Sequence, residues 1–493
     1  MTRRPSIALP DALVSDLWRM NPWWEGGSLP LLPPTRRYLV DQIHRRLQLR
    51  LAPAVVVRGP RQIGKTTAQL QVVQDLLDRG VPPRNLFRVQ ADDLSDIKGI
   101  SEPILRFADW YEQEILGKSL NDAAHEGTPA YLFFDEIQNL KDWAPQLKSL
   151  VDHSTTQAVI TGSSALRIEM GRDSLAGRIS TIEAGVLSLT EIAAFRGIDL
   201  GPPFLPDNGL EPLTRRELWL DLREHGRRLA EPRDETFRVF SERGGYPLVH
   251  QLAGTPWSYL ADQLNETVIK RVVRHDLRSR RRDAALLEQV FLLACRYAGQ
   301  APGPHLLARE SQRVLGSEVA PRRAQQALRL LADSLLLRLV EPLELRLKKT
   351  RGAAKICLAD HGLRASWLQE IVPLDPAALE REPHLSLLAG RIAESVTGAT
   401  LSTISHLDLA HLPARSDQPE IDFVLTIGTK RIPLEVKYQK KLDPLQDTEG
   451  LRRFIEKAAN NAPFGILVCQ VDEGAVVDPR IVTLPLSSLM LLR

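Results

Sequence analysis

Residues Gly59 to Thr66 read GPRQIGKT and fit the phosphate-binding pattern G-x-x-x-x-G-K-[ST] at every fixed position. The apolar run Ala54 to Val57 comes before them and predicts a buried parallel strand. The stretch from Lys65 to about Asp78 follows and predicts an amphipathic helix. Strand, glycine loop and helix are the parts that a site for nucleotide phosphates needs. A plain glycine turn is the alternative, which the flanking strand and helix disfavour.

The residue types of this loop suit that chemistry. Glycines let backbone N–H groups curl around phosphate oxygens, the lysine brings a cation to the terminal phosphates, and the threonine offers a hydroxyl to Mg²⁺. The sequence therefore predicts a nucleotide and Mg²⁺ as cofactors. The predicted nucleotide-binding residues are Gly59, Pro60, Arg61, Gln62, Ile63, Gly64, Lys65, Thr66 and Thr67, together with Asp135 and Ser163 from later strands.

Hydrolysis also requires a carboxylate for the metal and a second one to orient water. Residues 131–138, YLFFDEIQ, predict a buried strand that ends in two acids at its carboxyl edge, where ligands bind in open α/β sheets. Asp135 is the predicted Mg²⁺ ligand beside Thr66, and Glu136 is predicted to polarise the attacking water. An acidic helix start is the alternative. The next apolar strand, AVITGSS, ends in Thr161, Ser163 and Ser164, which would either sense the γ-phosphate or form a hydroxyl-rich turn.

Five motifs in this order give the chain a family resemblance: GPRQIGKTT, FFDEIQ, ITGSSA, SLAGR at 174–178 and GGYP at 244–247. They resemble archaeal-type P-loop ATPases of the AAA and STAND-like group. The resemblance implies ATP hydrolysis, a helical region, a winged helix and a C-terminal nuclease-like domain. It also implies that Arg178 is directed at the γ-phosphate, in cis or from a neighbouring subunit, although a salt bridge of Arg178 or Arg172 is an equal alternative. The motif NPWW at 21–24 recurs in such proteins, and it would either line the nucleotide or subunit edge or serve in packing.

Composition limits the class of protein. The chain has 493 residues, 43% hydrophobic and 25% charged, which predicts a globular protein of about three domains. Its three cysteines are widely separated, which favours a reducing cytosol and disfavours a zinc site or a disulfide framework. No signal pattern or uninterrupted apolar span is present, so no membrane partner is predicted. The expected location is the cytoplasm, in association with the nucleoid.

Basic side chains cluster in three places, although the formal net charge is only +3. The first is KRVVRHDLRSRRR at 270–282, and the second is PRRAQQALRLLAD at 321–333, a predicted third helix after helical patterns at 284–297 and 305–315. The third is the loop of a predicted hairpin whose second strand is 355–359. Three helices and a basic hairpin follow the plan of a winged helix, whose third helix can enter a DNA major groove. A solvated surface or an oligomer contact is the alternative. The predicted nucleic-acid contacts are Lys270, Arg271, Arg274, Arg278, Arg280, Arg281, Arg282, Arg322, Arg323, Lys348, Lys349 and Arg351.

A second chemical signal lies at 420–439, EIDFVLTIGTKRIPLEVKYQ. A two-residue turn at Gly428-Thr429 sets the register of a hairpin in which Asp422 lies opposite Glu435, and the face that carries Phe423 is apolar. Two opposed carboxylates repel each other unless a cation lies between them, so the pattern predicts a divalent metal on Asp422 and Glu435.

This constellation resembles the PD-(D/E)XK nuclease superfamily. Its acidic residue, E-x-K strand and helical glutamate match Asp422, Glu435 with Lys437, and Glu394, but the usual Pro-Asp pair is absent. The resemblance implies a metal that activates water against a phosphodiester, with Lys437 stabilising charge. A nuclease-like fold that has lost its chemistry is the alternative, and the sequence leaves cleavage open.

The predicted fold class is α/β: a P-loop ASCE ATPase with a parallel sheet, a helical and winged-helix middle region, and a C-terminal PD-(D/E)XK-like domain. The predicted segments are a lead-in (1–51), the ATPase core (52–200), a helical lid or linker (201–282), the winged helix (283–372) and the nuclease-like domain (373–493). The leading hypothesis is an ATPase that remodels or processes branched or broken DNA as a homo-oligomer, with a hexameric ring as one form. The alternative is a nucleotide-controlled switch in a defence or toxin-like system.

Overall fold

A computed structural model describes residues 9–95, 97–162, 175–205, 209–252, 254–276, 281–344, 352–414, 419–474 and 476–493. The chain divides into two compact units, Met1–Ala184 and Gly185–Arg493. Ser163, Ser164, Arg172, Arg278, Arg280, Lys348, Lys349 and Arg351, all singled out from the sequence, lie outside the described residues.

The first unit is built on one parallel sheet. Its strands are β1 (Ala54–Arg58), β2 (Leu86–Gln90), β3 (Tyr131–Asp135), β4 (Gln157–Gly162) and β5 (Ile179–Glu183), in the order β2-β3-β4-β1-β5. Every pairing is parallel. The α-helices described in this unit are Asp11–Met20, Tyr38–Leu49, Lys65–Asp78, Pro103–Tyr111, Leu120–His125 and Trp143–His153.

The strand order explains why the sequence reads as it does. Strand β1 has a neighbouring strand on each side and is buried from Ala54 to Val57, in agreement with its unbroken apolar run, which is typical of a parallel strand covered on both faces. One strand, β4, lies between β1 and the acidic strand β3. The α/β fold with a parallel P-loop sheet is therefore confirmed, including the ASCE-type inserted strand.

The motif NPWW lies at the opposite side of this sheet from β5. The Asn21 amide donates to the carbonyl of Arg88 (2.8 Å), and its oxygen accepts from the N–H of Arg88 (2.7 Å). The indole N–H groups of Trp23 and Trp24 both donate to the carbonyl of Leu86. The motif thus packs against the edge strand β2, as the packing alternative predicts. This position does not suit a residue that lines the nucleotide.

The second unit contains a seven-stranded sheet in the order β12-β11-β10-β9-β8-β6-β7. Its strands are β6 (Leu337–Pro342), β7 (Lys355–Leu358), β8 (Asp408–Leu412), β9 (Ile421–Ile427), β10 (Lys430–Val436), β11 (Gly465–Cys469) and β12 (Ile481–Pro485). The α-helices described here are Leu189–Phe195, Arg216–Arg228, Ala230–Arg243, Pro247–Gln251, Trp257–Leu264, Arg281–Arg296, Pro304–Leu315, Pro321–Asp333, His361–Leu368, Pro376–Arg381, Ser386–Leu401, Glu449–Glu456 and Leu486–Leu489.

The predicted hairpin of the C-terminal region is present with the predicted register. Phe423 pairs with Leu434 and Leu425 pairs with Ile432, across the two-residue turn. Phe423, Leu425, Ile432 and Leu434 are buried in one apolar cluster, as the alternation of the two strands requires.

The predicted boundary at residues 372 and 373 does not separate two sheets. The β6–β7 hairpin follows three mutually packed helices, as expected for a winged helix, but the end of β6 also pairs in parallel with β8. A hairpin pattern reveals the local pairing of two strands and does not reveal which further strand joins their free edge. The strands assigned to the wing and those assigned to the nuclease-like domain therefore share one sheet.

Candidate functional site

The P-loop lies between the end of β1 and the helix Lys65–Asp78. Gln62 and Gly64 have φ angles of 62° and 88°, so the loop turns through the left-handed region twice before the helix begins. A Cβ on Gly59 would lie 2.4 Å from the carbonyl oxygen of Ala184, so only glycine fits there. The Nζ of Lys65 donates to the carbonyls of Gly59 (2.9 Å) and Pro60 (2.6 Å), and Thr66 and Thr67 occupy the first helical turn. This is the strand–loop–helix arrangement that the sequence predicts.

Arg37, from the segment before the P-loop, also contacts this loop. Its Nη1 donates to the carbonyl of Ile63 at 2.6 Å, and its Cδ lies 3.6 Å from the Cβ position of Gly64. The side chain is buried. Sequence reasoning missed this residue because it lies 22 positions before Gly59 (59 minus 37), with no periodic pattern to link the two.

The two predicted acids lie at the carboxyl edge of β3. Asp135 is the last residue of the strand and is only 1% exposed. Glu136 follows with a φ of 52° and accepts a hydrogen bond from the amide of Gln138. Because parallel strands end at the same edge, Asp135 and the P-loop face the same side of the sheet. Thr66 and Asp135 are residue types that suit Mg²⁺, which would neutralise phosphate charge there.

A buried polar network holds Asp135. The hydroxyl of Thr161 donates to its Oδ1, and Nη2 of Arg88 donates to its Oδ2 at 3.2 Å. Nε of Arg88 also donates to Oε1 of Gln69 in the P-loop helix at 3.1 Å. Burial lowers the pKa of Arg88, although the charge of Asp135 opposes that shift. Thr161 thus orients the acid, whereas Arg88 and Gln69 were missed; the charged residue inside the apolar strand LFRVQ was the available signal.

Arg178 lies at the amino-terminal ends of the strands, on the opposite side of the sheet from the P-loop. It immediately precedes β5, whose first residue pairs with Ala54 at the start of β1. Five strand residues separate those ends from the P-loop, which is roughly 16 Å at about 3.3 Å per residue. Arg178 forms a two-pronged ion pair with Asp152, with N–O distances of 2.5 and 2.9 Å. The predicted cis contact with the γ-phosphate does not fit this position, and the role from a neighbouring subunit stays a prediction.

The four residues predicted for the C-terminal site do come from neighbouring elements. Asp422 lies on β9, Glu435 on β10, Lys437 just after β10 and Glu394 on the helix Ser386–Leu401. Nζ of Lys437 lies 3.8 Å from Oε2 of Glu435, and the lysine side chain is 40% exposed. Burial raises the pKa of Glu435 to about 8, against the opposing effect of Lys437.

A fifth residue, Lys355, occupies the centre of this group. Its Nζ lies 2.7 Å from Oδ1 of Asp422, 3.2 Å from Oε2 of Glu394 and 3.8 Å from Oε1 of Glu420. Burial works to lower the pKa of Lys355, but Asp422 and Glu394 outweigh it and the net direction is upward. Burial, followed by the charge of Asp422, raises the pKa of Glu394. We name Lys355, Glu394, Glu420 and Asp422 the lysine–carboxylate cluster.

A divalent metal at Asp422 would have to share this carboxylate with the ammonium of Lys355. Among the described residues, no group of three or more His, Cys, Asp and Glu side chains is placed to hold a metal ion. The other oxygen of Asp422, Oδ2, accepts the N–H of Val436 at 2.9 Å. The metal pair of Asp422 and Glu435 stays a prediction, and the ammonium of Lys355 beside Asp422 disfavours it.

The described basic residues of the second unit lie on helical surfaces and several are paired. Lys270 pairs with Glu266, Arg274 with Glu288, and Arg323 with Asp283, the last at 2.6 Å. Arg271 and Arg322 are exposed. Arg281 and Arg282 begin the helix Arg281–Arg296. No helix in the described ranges is long and apolar enough to cross a membrane.

Comparison with known proteins gives three matching families along the chain. Residues 52–193 match the family described as an AAA domain. Residues 234–372 and 389–489 match two domains of unknown function, DUF8612 and DUF4143. The second and third matches cover the helical region with β6 and β7, and the segment from Glu394 to the C-terminal strands, respectively.

Full-length comparisons give distant similarities. An uncharacterized protein of Mycobacterium bovis and one of Mycobacterium tuberculosis are each 24% identical over 407 residues, which is 78% of this chain and 73% of theirs. A Walker-type ATPase of Pyrococcus abyssi aligns with 69% of this chain and 99% of its own at 15% identity, with a TM-score of 0.38. A DNA replication initiation factor aligns with 62% of this chain and 90% of its own at 13% identity, with a TM-score of 0.21.

The AAA match coincides with the strand–loop–helix geometry around Lys65 and with the acids at the end of β3. The two families of unknown function match the segments predicted as a winged helix and a nuclease-like domain, and both of these assignments stay predictions. Residues 52–193 thus have a P-loop ATPase fold and are similar to the AAA domain family.

Proposed function

We propose that this protein is a Mg²⁺-dependent ATPase that binds DNA and couples nucleotide turnover to DNA remodelling. The observation that carries the proposal is the P-loop with Lys65 reaching over its carbonyls, and the buried Asp135 at the same edge of the sheet. Lys65 would hold the terminal phosphates, Thr66 and Asp135 would hold Mg²⁺, and Glu136 would orient the attacking water. The metal would supply charge neutralisation on the phosphates.

The helix Pro321–Asp333 supports the DNA half of the proposal. Its apolar residues Ala324, Ala327, Leu328 and Leu331 are buried, and its opposite side exposes Arg322, Gln325, Gln326 and Arg329. Spacings of three, four and seven place these four polar side chains on one helix face. Arginine and glutamine are side chains that hydrogen-bond to base edges.

A neighbouring groove has the same character. It has a volume of about 490 Å³ and lies along the helix Pro304–Leu315 and the connection that leads from it to Pro321. Its polar lining residues are His305, Arg309, Gln312 and Arg313. Arg309 and Arg313 share Glu310, so the lining keeps an excess of positive charge beside the exposed helix face. Such clustering is the electrostatic footprint of a polyanion site.

ATP turnover with and without duplex, forked and four-way DNA tests the proposal. We expect turnover that rises with DNA, little turnover in Lys65→Ala, and retained ATP binding without turnover in Glu136→Gln. Turnover that is insensitive to every DNA, together with tightly held nucleotide in the purified protein, would favour the nucleotide-controlled switch instead.

DNA binding by gel mobility at several salt concentrations tests the assigned surface. Arg322→Ala combined with Arg329→Ala should weaken binding and make log affinity fall less steeply with log salt, because two positive charges are removed from the surface that faces the DNA. Arg453→Ala removes an exposed helical arginine that pairs with Glu449 elsewhere in the unit, and it serves as the control. Equal loss in both variants would remove the surface assignment.

We further propose that the protein acts as a homo-oligomer in which Arg178 of one copy approaches the nucleotide of the next, which would release its ion pair with Asp152. Sedimentation and ATP turnover of wild type and Arg178→Ala distinguish a contact of Arg178 with the neighbouring copy's nucleotide from a purely structural ion pair with Asp152. Assembly with lost turnover in Arg178→Ala supports the role in trans, and wild-type turnover in that variant contradicts it.

A further inference from the structure

The lysine–carboxylate cluster contains Asp422, one of the two residues on which the sequence pattern predicts a divalent metal. Nζ of Lys355 lies within 4 Å of three carboxylates, and its closest partner is Asp422 at 2.7 Å. We infer that Lys355 is the built-in cation of this cluster and that the wild-type protein binds no divalent metal there. The cluster then works as an ion-pair joint between β7 and β9.

The position of Lys355 is fixed from several sides. Its side chain is 1% exposed, and Nζ lies 5.2 Å from the centre of the Phe423 ring. Strand β7 pairs with β6 along one edge. Along the other edge, Leu358 N–H donates to Oγ of Ser395, and Ile356 exchanges hydrogen bonds with Gly299 and Gln300. A buried ammonium held in this way cannot move into solvent to make room for an ion without exposing or breaking these contacts.

The helix that carries Glu394 is also fixed close to the lysine. A Cβ on Gly398, one turn after Glu394, would lie 2.3 Å from Sγ of Cys357 and 2.7 Å from the Phe423 ring. Only a glycine allows the helix Ser386–Leu401 to pack this closely on β7 and β9. The close approach brings Oε2 of Glu394 to 3.2 Å from Nζ of Lys355.

Charge balance supports the same reading. One ammonium compensates the two nearest carboxylates in part and donates to both, which is the condition for keeping buried acids. A divalent ion between the same carboxylates would lie next to the ammonium and be repelled by it. Removal of Lys355 would leave adjacent carboxylates without a cation, which is the donor set that a hard divalent ion prefers.

The test is Mn²⁺ binding by nucleotide-free protein, measured as loss of the free Mn²⁺ electron paramagnetic resonance signal. Wild type and Asp422→Asn should bind Mn²⁺ equally, whereas Lys355→Ala should gain one bound ion per chain. Adding Asp422→Asn to Lys355→Ala should abolish that gain. The single variant Lys437→Ala is the control. It removes the exposed lysine instead of the buried one, and it should bind no more Mn²⁺ than wild type.

Wild-type Mn²⁺ binding that disappears in Asp422→Asn would overturn the inference, and so would a Lys355→Ala protein that binds no more Mn²⁺ than wild type. If Lys355→Ala does not fold, Lys355→Met with Glu394→Gln and Asp422→Asn gives a second test. That neutral triple variant should regain the thermal stability lost in Lys355→Met, because no uncompensated buried acid remains. A triple variant no more stable than Lys355→Met would contradict the inference that Lys355 compensates the charges of Glu394 and Asp422.

Discussion

At the scale of single residues, the motif GGYP is explained by a buried carboxylate. Asp360 accepts hydrogen bonds from the N–H groups of Gly245 and Gly362, each at 2.9 Å. Gly244 has φ 75° and ψ −160°, a region that only glycine occupies readily, and its Cβ position lies 2.3 Å from Oδ1 of Asp360. The two glycines of the motif therefore form the binding site of this buried carboxylate, which we call the Asp360 socket.

We expect Gly244→Ala to destabilise the second unit by about 3 kcal/mol or more, since strain and displacement of a buried carboxylate add together. Gly197→Ala is a matched control, because Gly197 has φ 72° but no atom within 4 Å of its Cβ position. The control should cost about 1 kcal/mol through backbone strain alone. Denaturant unfolding compares the two, and equal losses would show that the socket does not matter.

His250 predicts a pH dependence of the same region. Its Nε2 hydrogen-bonds to the carbonyl of Gly244 at 2.8 Å, and burial, with the nearby charges of Arg196 and Arg243, lowers its pKa from 6.5 to about 4. The neutral ring is thus favoured in the folded state, so stability is complete above pH 6.5 and is lost as the pH falls toward 4.

That displacement of the pKa corresponds to about 3 kcal/mol. His250→Gln keeps an amide donor for Gly244 but cannot be protonated, so it should lose about 3 kcal/mol less than wild type between pH 7 and pH 4. Urea unfolding at both pH values measures the difference. Parallel losses in the two proteins would exclude His250 as the source.

The residues that the sequence could predict are those in motifs with fixed spacing. Lys65 and Asp135 lie where the pattern puts them, because a strand, a tight loop and a helix determine local geometry. The partners of Arg88 and Lys355 could not be predicted, because Asp135 and Asp422 are 47 and 67 positions away and only tertiary packing joins them. The opposed acids Asp422 and Glu435 predict a cation between them, and the structure places the ammonium of Lys355 at 2.7 Å from Asp422.

At the scale of elements, the coverage of edge strand β2 by Asn21 gives a prediction. Asn21 is fully buried and satisfies both the N–H and the carbonyl of Arg88, as a neighbouring strand would. Asn21→Ala leaves two buried backbone groups unpaired and should cost about 3 kcal/mol. Asn121→Ala is the control, since Asn121 also bridges two backbone groups, of His153 and Thr155, but at an exposed site where water replaces it.

Thermal unfolding followed by tryptophan fluorescence measures this effect, because Trp23 and Trp24 adjoin Asn21 and donate to the same strand. Asn21→Ala should also aggregate more readily on heating, since an uncovered edge strand offers pairing to another chain. An Asn21→Ala protein as stable as Asn121→Ala would mean that the motif contributes only apolar packing.

At the scale of the whole molecule, each of the two units has its own sheet, and the strands of each sheet come from one unit alone. The strands β1 to β5 all fall between residues 54 and 183, and β6 to β12 all fall between 337 and 485. The large apolar cluster of the second unit draws all of its members from residues 187–492. Domain limits read from the sequence placed several boundaries inside this cluster, because loops rich in proline mark turns and do not reveal which elements share a core.

We therefore expect a fragment of residues 185–493 to fold without the first unit and to unfold in one cooperative transition. It should bind DNA as tightly as the nucleotide-free full-length protein, because the exposed face of Pro321–Asp333 lies within it, and it should not hydrolyse ATP. Circular dichroism melts and gel mobility at matched salt measure both properties. An insoluble fragment would show that the second core needs the first unit, whereas a folded fragment with weak DNA binding would move the principal DNA contacts to residues 1–184.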